Sequence, residues 1–599
     1  MGILEGLSKP SDLKKLNTKE LSDLAEELRG KIIATAKKNG GHLSSNLGIV
    51  ETTLALHYVF DLPKDKLIFD VGHQCYAHKI LSGRSDLFDT IRLDDGLSGF
   101  PSREESEYDL FTTGHAGTSI SSGLGVCNAR DKKGEDYSVI TVVGDGALVN
   151  GLNLEAITGQ KKKPKNFLVI LNDNGMSISN NVNGLYQAIS KSTAKTGYIK
   201  SKNAFKKLFR ESFITKFFRK IKNFIKRILS KNFPFDNFGF KYVGVVDGND
   251  LKKLVKILRL VKQTLKDRSV FLHLTTTKGK GLEIAEENAD VYHGVGKNFD
   301  TTSGDFSTAL GVDLCDIIDK DKSVVAITAA MKDGTGLKIV EEKHKDNFYD
   351  VGIAEEYAVT LASGMAAGGL KPVVAIYSTF MQRAYDQILH DVCLQNLPVV
   401  FCMDRSGFSG ADGVTHQGLF DISYLSHLPN MTILAPSSTA ELKTSLEYAL
   451  SLNSPVAIRY PKDCVEIGDT PKPFTETVWE IKSQGENVCI LAVGPRMLSL
   501  ANEIKEKIPT VSVVNARRVK PLDLDTLNKF RGQTFVTLEE NSVIGGFGAL
   551  VSSYCTANGL GKVISFGAMD EFVRHGKIET QMKLNGLTAD EIIKTIKNS

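Results

Sequence analysis

No apolar run in this 599-residue chain reaches the roughly 18 residues that a membrane-spanning helix needs. A C-x-x-C pair is also missing. The eight cysteines are scattered from Cys75 to Cys555, which argues against a disulfide framework or a zinc site and suits a reducing compartment. Charge of one sign is not in excess either. Lys and Arg number 74 against 70 Asp and Glu, a net charge of +4 that is too small to point to a charged partner, and no nucleic-acid partner is expected. The N-terminal MGILEGLSKPSDLKKL lacks a charged-then-apolar signal pattern, and Gly6 stands where a myristoylation signal wants Ser or Thr. A cytoplasmic location is the resulting expectation. No fixed-period repeat is visible.

What the chain does contain is an alternation of β-branched runs with helical patterns, which predicts parallel α/β sheets. The predicted strands are 138–144, 167–172, 324–328, 372–377, 398–404, 455–460, 488–494, 510–516 and 533–540. The length exceeds what one hydrophobic core supports, about 250–300 residues. Three α/β domains are expected, at 1–302, 303–468 and 469–599. The breaks fall after the polar HGVGKNFDTTSGD and at the Pro-rich GDTPKPFTET.

The strongest local signal is GDGALVNG at 144–151, followed by LNDNGMSIS at 171–179. Each closes an apolar strand, and ligands of parallel α/β sheets bind beyond the carboxyl ends of such strands. Asp145 and Asn174 are 29 residues apart, room for one crossover helix between adjacent strands. Two hard oxygen donors at neighbouring strand ends suit Mg²⁺, and Gly144 and Gly146 let backbone N–H groups approach a diphosphate.

This pair resembles the diphosphate-and-magnesium motif of thiamine-diphosphate enzymes. Further motifs follow in order: DVGHQCYAHKILSGR (70–84), TTGHAGTSIS (112–121), VGIAEEYAV (351–359), AIYSTFMQRAYDQ (375–387), DRSGFSGADGVTHQG (404–418) and RYP (459–461). Together they resemble the 1-deoxy-D-xylulose-5-phosphate synthase family, from near residue 40 to the C-terminus, with an interruption at about 190–235. The resemblance implies a transketolase-like fold with a diphosphate-binding, a pyrimidine-binding and a C-terminal domain. It implies a homodimeric transferase that uses thiamine diphosphate and Mg²⁺. That enzyme condenses pyruvate, with decarboxylation, and D-glyceraldehyde 3-phosphate to 1-deoxy-D-xylulose 5-phosphate, the first step of non-mevalonate isoprenoid synthesis.

Residue by residue, the resemblance implies that Asp145, Asn174 and the backbone carbonyl of Met176 hold Mg²⁺. His73, Gly114, His115, Ala116, Gly146, Ala147, Asn174 and Leu282 would contact the cofactor. Glu355 would bond its aminopyrimidine ring, with Phe380 stacking on it. His42, His293, His416 and Arg383 would act near the reacting carbon. Tyr377 and Asp412 would line the substrate pocket, and Arg405 and Arg459 would grip the aldehyde's phosphate. The residue types suit the tasks. A carboxyl hydrogen-bonded to the pyrimidine favours the tautomer that deprotonates the thiazolium. An arginine fork matches a phosphate.

Some positions depart from the family pattern. Glu356-Tyr357 follow the catalytic Glu where Gln-His is usual, and the second carboxylate bears on the proton affinity of Glu355. Ala116-Gly117 replace Ser-Ser, Leu282 replaces an aromatic, and Gly175 replaces a frequent acid. Two alternatives stay open: a transketolase acting on phosphoketose donors, and a non-catalytic cofactor-binding paralogue. TLEENSVIGGFG (537–548) resembles the family but holds no expected chemistry and is assigned to dimer burial. Lys200–Lys231 carries twelve Lys or Arg against the single acid Glu211, with Phe205, Phe209, Phe213 and Phe217 on one helical face. Packing of this insertion on its own protein is the expectation, in preference to contact with an anionic membrane surface.

Overall fold

Each of the predicted runs is a strand in the computed structural model, because each is a short, nearly continuous β-branched run that can be buried on both faces of a parallel sheet. The structure describes residues 2–7, 9–159, 162–175, 234–302, 304–463 and 471–598. Met176, the basic segment 200–231 and Gly468 lie outside the described residues. The chain divides into two compact units, Met1–Arg92 with Gly96–Thr301, and Leu93–Asp95 with Thr302–Ser599.

The first unit is built on a five-stranded, all-parallel sheet. Its spatial order is Lys66–Phe69, Val139–Gly144, Phe167–Asp173, Val270–Thr275, Lys241–Asp247. Helix Leu251–Leu265 shows how the sequence encodes the layer above it. Leu251, Leu254, Val255, Leu258, Val261 and Leu265 recur at helical spacing and are buried, and the lysines between them face outward. Asp250 caps this helix by accepting from the Lys253 N–H at 3.0 Å. The register pairs Gly144 with Asn172 and Asp173 with Thr275. Asp145 and Asp173 therefore stand at the same end of neighbouring strands.

The second unit holds two sheets. The larger runs Arg518–Lys520, Thr432–Leu434, Val456–Arg459, Val400–Asp404, Lys371–Tyr377, Val324–Thr328, Phe348–Asp350, parallel except for its first strand. The smaller runs Glu480–Ser483, Ser512–Asn515, Val488–Ala492, Thr534–Ser542, Val563–Ala568, also with one antiparallel edge. Arg518–Lys520 thus leaves the C-terminal segment to pair with the larger sheet. The buried Trp479, the chain's one tryptophan, donates its indole N–H to the Arg518 carbonyl at 2.7 Å. Among the described residues no helix is long and apolar enough to cross a membrane.

Candidate functional site

In the first unit, the chain turns from strand Val139–Gly144 straight into a helical turn that begins at Asp145. The Asp145 side chain is 2% exposed, and its Oδ2 has no hydrogen-bond partner among the described residues. Burial, and then the neighbouring Asp173 carboxylate, push its pKa up to about 7, opposed by Lys278. The buried Lys278 ammonium is itself pulled down to about 8 by desolvation. A buried carboxylate with an unsatisfied oxygen beside a second carboxylate is a place that a divalent cation would stabilise, so these residues fit Mg²⁺. Among the described residues no group of three His, Cys, Asp or Glu side chains is arranged to hold a metal.

Asp173 is fixed by a relay invisible in the sequence. Tyr242 Oη lies 2.9 Å from His273 Nδ1, and His273 Nε2 lies 2.8 Å from Asp173 Oδ2. Asp173 Oδ1 accepts from the Gly175 N–H at 3.0 Å, which sets the turn that carries Asn174. The departure at Gly175 is therefore at a residue used through its backbone.

Gly114, His115 and Ala116 sit on a loop anchored by Asp70, whose buried carboxylate accepts from the Gly117 and Ser119 N–H groups at 2.8 and 3.0 Å. Gly117 has φ +89°, and a Cβ there would lie 2.2 Å from Asn150 Oδ1. The glycine at this departure thus fits both a left-handed turn and a close neighbour. Gly146 and Ala147 follow Asp145 and are buried.

His42, His73 and His293 form a cluster, with ring centroids 5.3 Å apart for His42–His73, 5.5 Å for His42–His293 and 5.1 Å for His73–His293. Phe100 packs edge-on against His42 at 5.4 Å. His293 is held well below the usual imidazole range, chiefly by burial and then by Lys278, so it is neutral at pH 7. Leu282 packs against the hydrophobic core of the unit.

In the second unit, Glu355 opens helix Glu355–Ala367. The loop before it is set by Asp350, which accepts from the Ala330 and Gly352 N–H groups at 2.8 and 3.0 Å. Glu355 is 4% exposed and its Oε2 makes no hydrogen bond among the described residues. Arg383 Nη1 stands 3.9 Å away. Burial pushes the Glu355 carboxyl up to about 7, with Arg383 opposing and Glu356 adding to the rise. The unsatisfied oxygen fits a ring nitrogen as partner. Tyr377 and Phe380 stack at 5.9 Å, and Phe380 meets His416 edge-on at 5.4 Å. The Arg405 guanidinium lies 3.7 Å from the Tyr377 ring centroid. Burial lowers the Arg405 pKa to about 10, with Asp412 opposing, and leaves it a cation at neutral pH.

Arg459 is bound differently from Arg405. Its Nε donates to Asp421 Oδ1 at 3.0 Å and its Nη2 to the Glu540 carbonyl at 2.9 Å. Among the described residues, Nη1 and the second hydrogen of Nη2 remain for a phosphate. Asp173, Lys278, Asp70, Asp350 and Asp421 were all missed by sequence reasoning. Of these, only Asp173, directly before Asn174 at a strand end, carried a local signal.

Comparison with known proteins gives three domain matches. Residues 4–276 match the family described as 1-deoxy-D-xylulose-5-phosphate synthase, 303–466 the transketolase pyrimidine binding domain, and 477–592 the transketolase C-terminal domain. The 1-deoxy-D-xylulose-5-phosphate synthase of Clostridium tetani (strain Massachusetts / E88) is 47% identical over 606 residues, 98% of this chain and 97% of its own. The protein of the same name from Carboxydothermus hydrogenoformans is 44% identical over 611 residues, covering 98% of each chain.

Proposed function

The chain belongs to the 1-deoxy-D-xylulose-5-phosphate synthase family, and from that premise we propose how its own residues carry the reaction. It is a transferase dependent on thiamine diphosphate and Mg²⁺. It condenses pyruvate, with loss of carbon dioxide, and D-glyceraldehyde 3-phosphate to 1-deoxy-D-xylulose 5-phosphate, for isoprenoid and thiamine biosynthesis. Full-length identity to these relatives removes the transketolase alternative.

The observation that carries the site assignment is a pair of buried carboxyls, each with an unsatisfied oxygen at a predicted position, Asp145 Oδ2 and Glu355 Oε2. In our reading Asp145, Asn174 and the Met176 carbonyl hold Mg²⁺. His73, Gly114, His115, Ala116, Gly146, Ala147, Leu282 and Phe380 line the cofactor. When bound, thiamine diphosphate supplies the electron sink for decarboxylation. Glu355, with a carboxyl raised to about 7, holds a proton at Oε2 against a pyrimidine nitrogen. Neutral His293, with His42, His416 and Arg383, handles protons and orients the substrate carbonyls. Tyr377 and Asp412 shape the pocket, and Arg405 and Arg459 bind the acceptor phosphate. A division into domains at about 302 and 468 belongs to the same reading, as does a homodimer, which sedimentation equilibrium at twice the chain mass would support. Free, buried cysteines among the described residues favour a reducing, cytoplasmic setting.

A coupled assay with pyruvate and D-glyceraldehyde 3-phosphate tests the function. Carbon dioxide and 1-deoxy-D-xylulose 5-phosphate should form in equal amounts. Turnover of a phosphoketose without pyruvate, or no turnover with cofactor bound, would overturn it.

The acceptor assignment predicts that Arg405→Ala raises the KM for D-glyceraldehyde 3-phosphate by roughly 10- to 100-fold, the loss of a charge-assisted contact, and leaves the KM for pyruvate unchanged. Equal shifts in both would mean Arg405 is structural. Arg459→Ala should also destabilise the fold, by about 3–5 kcal/mol, because it leaves Asp421 as a buried unpaired charge. Thermal melts measure that cost, and an unchanged melting temperature would contradict the pairing.

A further inference from the structure

The motif TLEENSVIGGFG was expected to carry no chemistry, yet its polar side chains turn into their own unit. Glu539, Glu540 and Asn541 are buried, and each anchors a different segment. Glu539 accepts from the Phe547 and Gly548 N–H groups at 2.7 and 2.8 Å. Asn541 Oδ1 accepts from the Ile422 N–H at 3.2 Å, and its Nδ2 donates to Ser423 Oγ at 2.9 Å. Glu540 reaches the segments that carry both arginines. Its carbonyl accepts from Arg459 Nη2 at 2.9 Å, and its Oε1 accepts from the Phe408 N–H at 3.3 Å and from Arg496 Nη1 at 2.6 Å.

The segment it grips needs holding. Arg405 has φ +58°, a left-handed conformation that costs a non-glycine residue energy unless its surroundings impose it. The constraints lie directly after it. The Ser406 N–H donates to the Tyr460 carbonyl at 2.9 Å, and Ser406 Oγ to Asp421 Oδ2 at 2.5 Å. Gly407 and Gly418 exchange backbone hydrogen bonds at 2.7 and 2.9 Å. Gly407 has φ +89°, and a Cβ on it would lie 2.8 Å from Glu540 Oε1, so the loop lies flat against this carboxylate. Asp421 joins the same arrangement through Arg459 Nε and through Ser378 Oγ at 3.0 Å, next to Tyr377.

We infer that Glu540 is a positioning residue for acceptor binding: its carboxylate clamps the loop after Arg405 while its carbonyl fixes Arg459, so the C-terminal segment sets the spacing of the two arginines. This rests on the reading that those arginines bind the acceptor's phosphate. The role is indirect, because Glu540 faces protein groups only in the contacts above.

The test is a kinetic panel on the holoenzyme with three variants, Glu540→Ala, Glu540→Gln and Arg496→Ala, beside Arg405→Ala. Glu540→Ala should raise the KM for D-glyceraldehyde 3-phosphate by roughly fivefold or more, the scale of one lost buried hydrogen bond. The KM for pyruvate, and the rate with unphosphorylated D-glyceraldehyde, should stay within about twofold, since neither uses the phosphate contacts. Glu540→Gln keeps an acceptor for the Phe408 N–H and should recover most of the loss. Arg496→Ala loosens the carboxylate without removing it and should shift the same KM in the same direction. It decides the matter if Glu540→Ala does not fold. A selective effect of Arg405→Ala with none from Glu540→Ala or Arg496→Ala would overturn the positioning role and leave the acceptor reading standing. No selective effect from Arg405→Ala would overturn the acceptor reading itself. Equal changes in every parameter, with glutamine no better than alanine, would mark Glu540 as purely structural.

Discussion

Glu355→Gln should lower kcat by about 10²–10⁴-fold, the range for loss of a positioned proton-transfer group, while the protein folds and gains stability at alkaline pH. Both effects have the same origin. The carboxyl sits in a buried position with no hydrogen bond to Oε2, and its pKa is raised from 4.5 to about 7. An acid whose folded pKa is raised binds its proton more tightly in the folded state. Stability is therefore fully present below about pH 4.5 and is lost as the pH rises through 7. Glutamine removes that penalty. The variant should gain up to about 3 kcal/mol over wild type at pH 8.5 and almost nothing at pH 4.5. Steady-state assays and melts at the two pH values check both parts. Near-normal turnover would show that Glu355 does not serve the cofactor. Glu356→Gln should lower the Glu355 pKa by removing a like charge, and so give a smaller gain in stability at pH 8.5 than Glu355→Gln, while activity persists.

Asp145→Ala should weaken Mg²⁺ and thiamine diphosphate together, each by at least about 10- to 100-fold, because a lost ligand costs no less than a lost outer-shell partner. The Asp145 carboxyl is raised to about 7 by burial and by Asp173, so a bound cation relieves a repulsion that alanine removes outright. The metal-free variant should consequently melt no lower than the metal-free wild type. Calorimetric titration of the variant with each ligand gives the answer, and unchanged cofactor affinity would sink the assignment of the GDG motif.

These two carboxyls were legible in the sequence for a local reason. Asp145 and Asn174 each end an apolar strand, and consecutive strands joined by one crossover commonly lie side by side in parallel, as these two do. Glu355 lies at a helix start within the longer VGIAEEYAV motif. The strands themselves were legible because runs such as 138–144 and 167–172 are apolar on both faces, which one environment alone satisfies. The groups that hold the site were not legible. Asp70 reaches Gly117 across 47 positions, Asp173 reaches His273 across 100, and Arg459 reaches Glu540 across 81. An aspartate that will be buried against a distant N–H reads the same in a sequence as one facing water.

By itself, then, the sequence determined the α/β class, the strand set and the family, and it supplied the residues proposed to touch cofactor and substrate, because those depend on short motifs and on periodicity within a few residues. The tertiary structure alone decided which carboxyls are unsatisfied and raised to about 7, which arginine stays on an aromatic ring and which is taken up by Asp421, and that residues 539–541 face inward. Proton affinity and hydrogen-bond satisfaction depend on desolvation and on partners brought from far along the chain, and neither exists until the strands and helices have packed.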